Sequence, residues 1–282
     1  MAELIATPLE VNPKHAVNAK ETITITDRLK TLKNLNNLRR LCRRLMSRNV
    51  IGLTLLLKLG KLARGDYYDC LAEFVMQQVL KKNSNCVDIG CHLGDVLAPM
   101  LRLAPEGRFF AFEPLPSLFK QLQFRFGKDE RIRLYNVALS EAAGAECFQY
   151  VLNAPAYSGF LRTDEKRPKD MVQTIMVEKA SLDDVLKGVD VDLIKLDVEG
   201  AELQVLRGGL KTLRRCRPYV IFEHAEHARY YDTKPDDVFD LLNGECGLRV
   251  SLLSSFLRRR RSLTKNEFIG ATRSEYYFLA HR

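Results

Sequence analysis

The chain has 282 residues, 46% hydrophobic and 28% charged, enough for one large globular domain with an appended segment. Its seven cysteines, Cys42, Cys70, Cys86, Cys91, Cys147, Cys216 and Cys246, form no CxxC pair, so neither a disulfide framework nor a zinc knuckle is indicated. The net charge is +9, yet the stretch from Arg28 to Arg64 alone carries eleven Lys and Arg and no acid, and the remainder of the chain is slightly acidic.

The cysteine usage points to a reduced, cytoplasmic compartment. The N-terminal "MAELIATPLEVNPKH" lacks the basic region and apolar core of a secretory leader. The longest apolar stretch, "VIGLTLLLKLGKLA", is interrupted by Lys58 and Lys61 and is too short to span a bilayer.

In chain order, residues 1–25 read as a loose tail with a short extended piece at "TITIT". From Asp27, a plausible N-cap, Leu29, Leu32, Leu35, Leu38, Leu41 and Leu45 recur at spacings of three and four, with Arg and Lys opposite, which predicts an amphipathic helix. Two more helices are expected at "IGLTLLLKLGKLA" and "YYDCLAEFVMQQVLKK". After Asn85 short apolar runs alternate with helical patterns. "CVDIG", "GRFFAFEP" and "IRLYNVAL" read as strands, and "GDVLAPMLRL" and "LPSLFKQLQFRFG" as helices, which argues for βαβ units and a parallel sheet. "AECFQYVL" and "VQTIMVEKA" read as an antiparallel insertion. "SLDDVL" restarts helix with Ser181 as cap, "VDLIKLDVEG" is a central strand, and "AELQVLRGGLKTL" a helix. "RPYVIFEH" is a strand, "PDDVFDLLNGE" a helix, and "GLRVSLLS" with "EYYFLAHR" closes the pattern as a hairpin at the sheet edge. The expected organisation is a helical extension over residues 1–80 and an α/β domain over residues 81–282.

In such sheets ligands sit beyond the carboxyl ends of the strands. "VDIGCHLGDV" lies at such an end: Gly90 permits a tight turn, Gly94 a close approach of backbone to ligand, and a helix starting near Gly94 would aim its amides into the crevice. Glu113, at the next strand end, suits the two hydroxyls of a ribose. The GxGxxG pattern is absent, and Asp88 within the turn would repel a pyrophosphate. S-Adenosylmethionine, with its sulfonium and ammonium, tolerates that carboxylate; a glycine-containing turn of some other nucleotide fold is the alternative. Asp88 and Asp197 could also be ordinary strand-end acids that cap turns, and Glu199 and Glu202 could simply charge a helix N-terminus.

"VDIGCHLGDV", "FAFEPLPSLFKQLQ", "LYNVALSEAAG", "SLDDVL", "DLIKLDVEGAELQVLRGG" and "RPYVIFEH", in this order, resemble the FkbM family of class I S-adenosylmethionine-dependent methyltransferases. The resemblance runs from about Asn85 to His224, and "IKLDVEGAELQVLRG" is its most specific piece. It implies a Rossmann-like, mostly parallel sheet with an antiparallel edge strand, and O-methylation, often on sugars, glycolipids or polyketides. It places Asp88, Gly90 and Gly94, with Cys91 and His92 in the same turn, around the methionine portion. Glu113, followed by Pro114, would hold the ribose, and Asn136 and Ala138 would lie beside the adenine. Asp197 would face the donor's amino group or the acceptor. His92 stands where many relatives have Asn.

An alcohol acceptor needs a group that takes its proton, and the candidates at strand ends are Asp197, Glu199, Glu223 and His224. The cluster Glu223, His224, Glu226 and His227 invites a metal reading, but it lacks the HExxH spacing and no metal is expected. "NAPAY", Asn153–Tyr157, faintly resembles the Asn-Pro-Pro-Tyr motif of amino-methylating enzymes, but it falls in the insertion and reads as a loop over the acceptor site. Alternatives are methylation of RNA or a small molecule on the same fold, and a non-catalytic scaffold of that fold. For residues 28–64 three readings compete: a helical cap packed on the domain, a helix on an anionic membrane surface, and nucleic-acid binding, the last disfavoured by the scarcity of aromatics.

Overall fold

The computed structural model describes residues 50–60, 62–161 and 169–282, less the side chains of residues 226 and 227. The N-terminal tail and the amphipathic helix expected from Asp27 lie outside the described residues. Among the described residues ten α-helices are found: α1 (Val50–Lys58), α2 (Arg64–Val79), α3 (Leu97–Leu103), α4 (Pro116–Phe126), α5 (Leu182–Val185), α6 (Glu202–Gly208), α7 (Leu210–Cys216), α8 (Pro235–Phe239), α9 (Leu253–Leu257) and α10 (Lys265–Ala271). The strands are β1 (Cys86–Ile89), β2 (Phe109–Phe112), β3 (Ile132–Tyr135), β4 (Ala138–Leu139), β5 (Gly144–Val151), β6 (Val172–Ala180), β7 (Leu193–Leu196), β8 (Tyr219–Glu223), β9 (Arg249–Leu252) and β10 (Tyr277–His281).

Seven strands form the main sheet in the order β3-β2-β1-β7-β8-β10-β9. The five from β3 to β8 are parallel, and β10 runs antiparallel to both its neighbours. This is the mixed, mostly parallel α/β sheet that the sequence pattern predicts. β1, β2 and β7 are buried along their whole length, which is why they read as unbroken apolar runs rather than alternating ones. The chain builds outward from β1 to β3 on one side and then returns to lay β7 on the other. Strand order therefore reverses between β1 and β7, and a crevice opens at their carboxyl ends.

Four elements differ from the sequence-based expectation. "IRLYNVAL" is not one strand: β3 stays in the main sheet while β4 joins a second sheet of order β4-β6-β5. The final two strands are no edge hairpin, because α9 and α10 stand between them and β10 inserts next to β8, leaving β9 at the edge. "AELQVLRGGLKTL" breaks into α6 and α7. The break falls where Gly208 and Gly209 are packed so tightly that a Cβ would lie 2.0 Å from the Ser140 carbonyl oxygen or 2.8 Å from the Leu182 side chain. The helix expected near Gly94 begins only at Leu97.

The insertion was legible. β5 and β6 pair antiparallel from Gly144↔Lys179 to Val151↔Val172, and one face, with Phe148 and Val177, packs on Leu115 and Leu118. Ser181 caps α5 as expected, its Oγ accepting from the Asp184 amide. α2 is deeply buried through Tyr67, Tyr68, Leu71, Phe74, Val75 and Met76 and packs on α9 and α3.

Candidate active site

The ends of β1, β2 and β7 are laced together by backbone hydrogen bonds. Gly90 and Cys91 amides donate to the Phe112 carbonyl, and the Asp197 amide to that of Ile89. At Gly90 φ is 71°, and a Cβ there would meet the Asp197 carbonyl oxygen at 1.9 Å, so only glycine lets the β1 loop pass the β7 end. Gly94 also has positive φ, 77°, but its missing side chain makes room for the Phe126 ring of α4 at 2.5 Å rather than for a ligand.

The crevice holds about 770 Å³ of non-protein space, its open mouth included. Gly90, His92, Glu113, Pro114, Ala138, Asp197 and Glu199 line it, as do Phe112, Leu118, Phe148 and Phe160, which give it apolar walls. Of the sequence candidates, Asp88, Cys91, Gly94, Asn136, Glu223 and His224 stand behind that lining. Asn136 braces the turn after β2, its Nδ2 donating to the carbonyls of Glu113 and Pro114. The insertion supplies Pro155 and Ala156 from the "NAPAY" segment to the wall, together with Phe148, Ser158 and Phe160. Sequence reasoning left these unassigned except for a loop over the site, because an inserted sheet carries no strand-end motif.

Two non-glycine residues at the crevice, His92 (φ 49°) and Glu199 (φ 55°), adopt the left-handed conformation, the kind of strain that gathers at functional loops. The first is held by Glu113, whose Oε2 accepts the His92 amide and whose Oε1 accepts the Leu115 amide, both at 2.9 Å. Burial raises the Glu113 carboxyl to about 7 against the pull of those two amides. The second is held by Glu202, whose Oε1 accepts the Val198 and Gly200 amides at 3.0 and 3.2 Å. Burial raises this carboxyl also to about 7. Glu202 thus braces a loop.

Asp88 is 1% exposed and neither carboxylate oxygen completes a hydrogen bond. Burial lifts it to about 6, moderated by the Lys195 charge and a weak interaction with the Leu97 amide. A buried acceptor pair without donors is costly and unusual.

Lys195, which sequence reasoning missed, sits beside it. Its Nζ donates to Asp197 Oδ2 at 2.7 Å, and the Tyr277 hydroxyl of β10 donates to the same oxygen. Burial alone would raise the Asp197 carboxyl; the Lys195 charge and hydrogen bonds with Lys195, Tyr277 and Glu223 hold it below the usual carboxylate range. Glu223, on β8, is pushed well above its usual value by burial and by the charges of Asp197, Glu199 and Glu202. One oxygen each from Asp197, Glu199 and Glu223 lies within 4.8 Å of the others, a grouping with the spacing of a cation site, but the Lys195 ammonium already lies against Asp197.

His224 faces away, 3% exposed and packed near Phe268, with its Nδ1 lacking a partner. Burial lowers it to about 4. Of the metal reading at Glu223, His224, Glu226 and His227, the last two side chains lie outside the described residues.

The profile of the Methyltransferase FkbM domain matches residues 88–250, from the first strand through the edge strand β9. The chain belongs to the FkbM methyltransferase family. It is 31% identical over 170 residues to the 2-O-methyltransferase NoeI of Sinorhizobium fredii, covering 55% of this chain and 70% of that one. It is 29% identical over 159 residues to the methyltransferase sdnD of Sordaria araneosa, covering 46% of this chain and 61% of the relative. Among solved structures it is similar to a methyltransferase FkbM from Methylobacillus flagellatus, with 16% identity and a TM-score of 0.43 over 83% of this chain and 59% of the other. Like its family, it is a methyltransferase.

Proposed function

We propose that the enzyme transfers a methyl group from S-adenosylmethionine to a hydroxyl of a sugar, a glycolipid or a related natural product, with residues 81–282 as the catalytic unit and residues 1–80 as an extension. The observation that carries this reading is Asp197, which opens into an apolar crevice at the β7 end with the strand-end acid Glu113 on the same wall and Asp88 buried behind the lining. The 2-O-methyltransferase NoeI among its relatives supports oxygen as the methylated atom.

The residues fit the donor. Glu113 spends one lone pair of each oxygen on a backbone amide and keeps the others for two ribose hydroxyls. The partnerless oxygens of Asp88 supply negative charge at the glycine turn, where a cationic amino-acid end would sit. Pro114, Leu118 and Ala138 offer flat apolar contact for a base. When bound, S-adenosylmethionine supplies a methyl group already activated by its sulfonium. Asp197 accepts the proton of the acceptor hydroxyl as the new bond forms, with Glu199 beside it at the crevice wall. Phe112, Phe148 and Phe160 keep water from the reacting atoms. His224 is buried away from this wall and takes no part in the reaction as proposed.

Screening methyl glycosides and a lysate glycan fraction for methylated products by mass, with S-adenosylhomocysteine release as the second signal, tests the reading. Asp197→Ala is expected to lower turnover at least ~100-fold. Donor binding without turnover on any fraction would favour the scaffold, and tighter binding of a nicotinamide dinucleotide than of the donor would remove the assignment.

One observation favours a second property, binding to an anionic membrane surface through residues 28–64. α1 and the turn that ends it expose Ile51, Leu55 and Leu59 at 71%, 55% and 61%, one stripe at helical spacing. Arg258, which opens the distant "RRRR" run, donates to Thr54 of α1. An exposed apolar stripe beside a basic side chain suits acidic head groups, at about 1 kcal/mol per basic residue. No described helix is long and apolar enough to cross a membrane. Vesicle flotation should capture the full chain with phosphatidylglycerol present and lose it at high salt; equal behaviour after Ile51→Ser, Leu55→Ser and Leu59→Ser combined would exclude this face.

A further inference from the structure

The main reading leaves one arrangement unused: a lysine, a tyrosine and a second acid converge on Asp197 from three strands. We propose that Lys195 and Tyr277 are positioning residues that clamp Asp197 Oδ2 and so aim the carboxylate at the acceptor hydroxyl, with Glu223 standing beside it from the neighbouring strand. The inference rests on the reading of Asp197 as the group that takes the acceptor proton.

The geometry is specific. Lys195 and Asp197 are two residues apart on and just beyond β7, so both side chains stand on the same face of the sheet and meet at 2.7 Å. Tyr277 opens β10, and the antiparallel pairing Tyr277↔Glu223 puts it directly across from Glu223. The insertion of β10 beside β8 therefore delivers the hydroxyl to this place; had β10 been the edge strand, it would lie one strand further away. The Tyr277 ring is fixed on Tyr68 of α2, with centroids 5.3 Å apart, and stands 5.5 Å below the Lys195 ammonium. The Asp197 side chain keeps 23% exposure on the crevice side while Lys195 has only 8%. Lys195 is thus buried while the clamped group is accessible.

The charges around it agree. Glu199 and Glu202 follow on the same loop and helix, Asp88 faces from β1, Glu223 from β8, Asp69 acts on Tyr277 from α2, and His92 approaches from the β1 loop. Lys195 is the single buried cation among them in the described residues, raised despite its burial by Asp197 and Asp88. One cation cannot balance both Asp197 and Glu223. The group with the two donors keeps the charge, and the other keeps the proton.

The test is a carboxyl NMR titration of the full chain with isotopically labelled aspartate and glutamate, the Asp197 signal being assigned by its loss in Asp197→Asn. Asp197 is expected to titrate below an ordinary aspartate and Glu223 well above an ordinary glutamate. Tyr277→Phe keeps the ring on Tyr68 and should raise the Asp197 midpoint by about one pH unit, the worth of one hydrogen bond to a charged group. Lys195→Met should raise it further, and Glu223→Gln should remove the high-pH step alone. Calorimetric donor affinity reports in each variant that the crevice is folded. An Asp197 midpoint unmoved by Tyr277→Phe would overturn the clamp, whether or not Asp197→Ala abolishes turnover; turnover surviving Asp197→Ala would instead overturn the reading beneath it.

Discussion

A methyl group added at Gly90 would overlap the Asp197 carbonyl oxygen at 1.9 Å on a backbone with φ of 71°. Neither partner can yield, because both are backbone at the centre of the sheet. Gly90→Ala is therefore expected to destabilise the fold by at least about 2 kcal/mol in urea titration and to lower donor affinity in the protein that remains folded. His224 makes the opposite kind of point: a residue with functional chemistry in the sequence that serves packing in the fold. Burial holds it neutral down to about 4, whereas the unfolded chain protonates it near 6.5. The unfolded state then binds the extra proton, so stability falls as pH drops below 6.5 and the loss is complete near 4, reaching about 3 kcal/mol. Thermal melts of His224→Leu across that window should show a flatter pH dependence than the native chain.

At the scale of elements, the short helices are held by their ends more than by their length. α10 has seven residues and begins with a capping box, Thr264 accepting the Glu267 amide and Glu267 accepting that of Thr264. Its Phe268 is fully buried against Phe222 and Phe278, so unwinding the first turn would loosen the packing beside β8 and β10. Thr264→Ala should cost about 1 kcal/mol by denaturant titration. The long "AELQVLRGGLKTL" pattern illustrates the converse. Its helical periodicity is real, yet Ser140 and Leu182 crowd the paired glycines and split it in two.

At the scale of the whole molecule, the crevice and the buried segments directly behind its lining collect more acid than the nearby cations balance. Asp88, Glu113 and Glu202 are raised by burial to about 6, 7 and 7, so near neutrality they carry fractional protons. A cationic donor bound against Glu113, with Asp88 and Glu202 buried close behind, stabilises the ionised forms and must drive protons off. Calorimetry of S-adenosylmethionine in buffers of different ionisation enthalpy should detect proton release at pH 6 to 7 that vanishes by about pH 9, with affinity rising with pH in that window. S-Adenosylhomocysteine, which lacks the sulfonium charge, should release less. Equal release for both ligands would place the linkage away from the sulfonium.

Local patterning alone was enough to specify the alternation of strands and helices, the glycine turn after β1, the strand-end acids Glu113 and Asp197, the Ser181 cap and the antiparallel insertion. Each is written in a few adjacent residues, through apolar runs, φ requirements or side-chain-to-amide spacing. The tertiary structure decided the rest. It set which side of β8 the last strand takes, so that Tyr277 reaches Asp197, and it turned Gly94 toward Phe126. It also buried His224 against Phe268 and drew the insertion over the crevice. Those outcomes depend on pairing and packing between segments far apart in the chain, where no local pattern records which surfaces will meet.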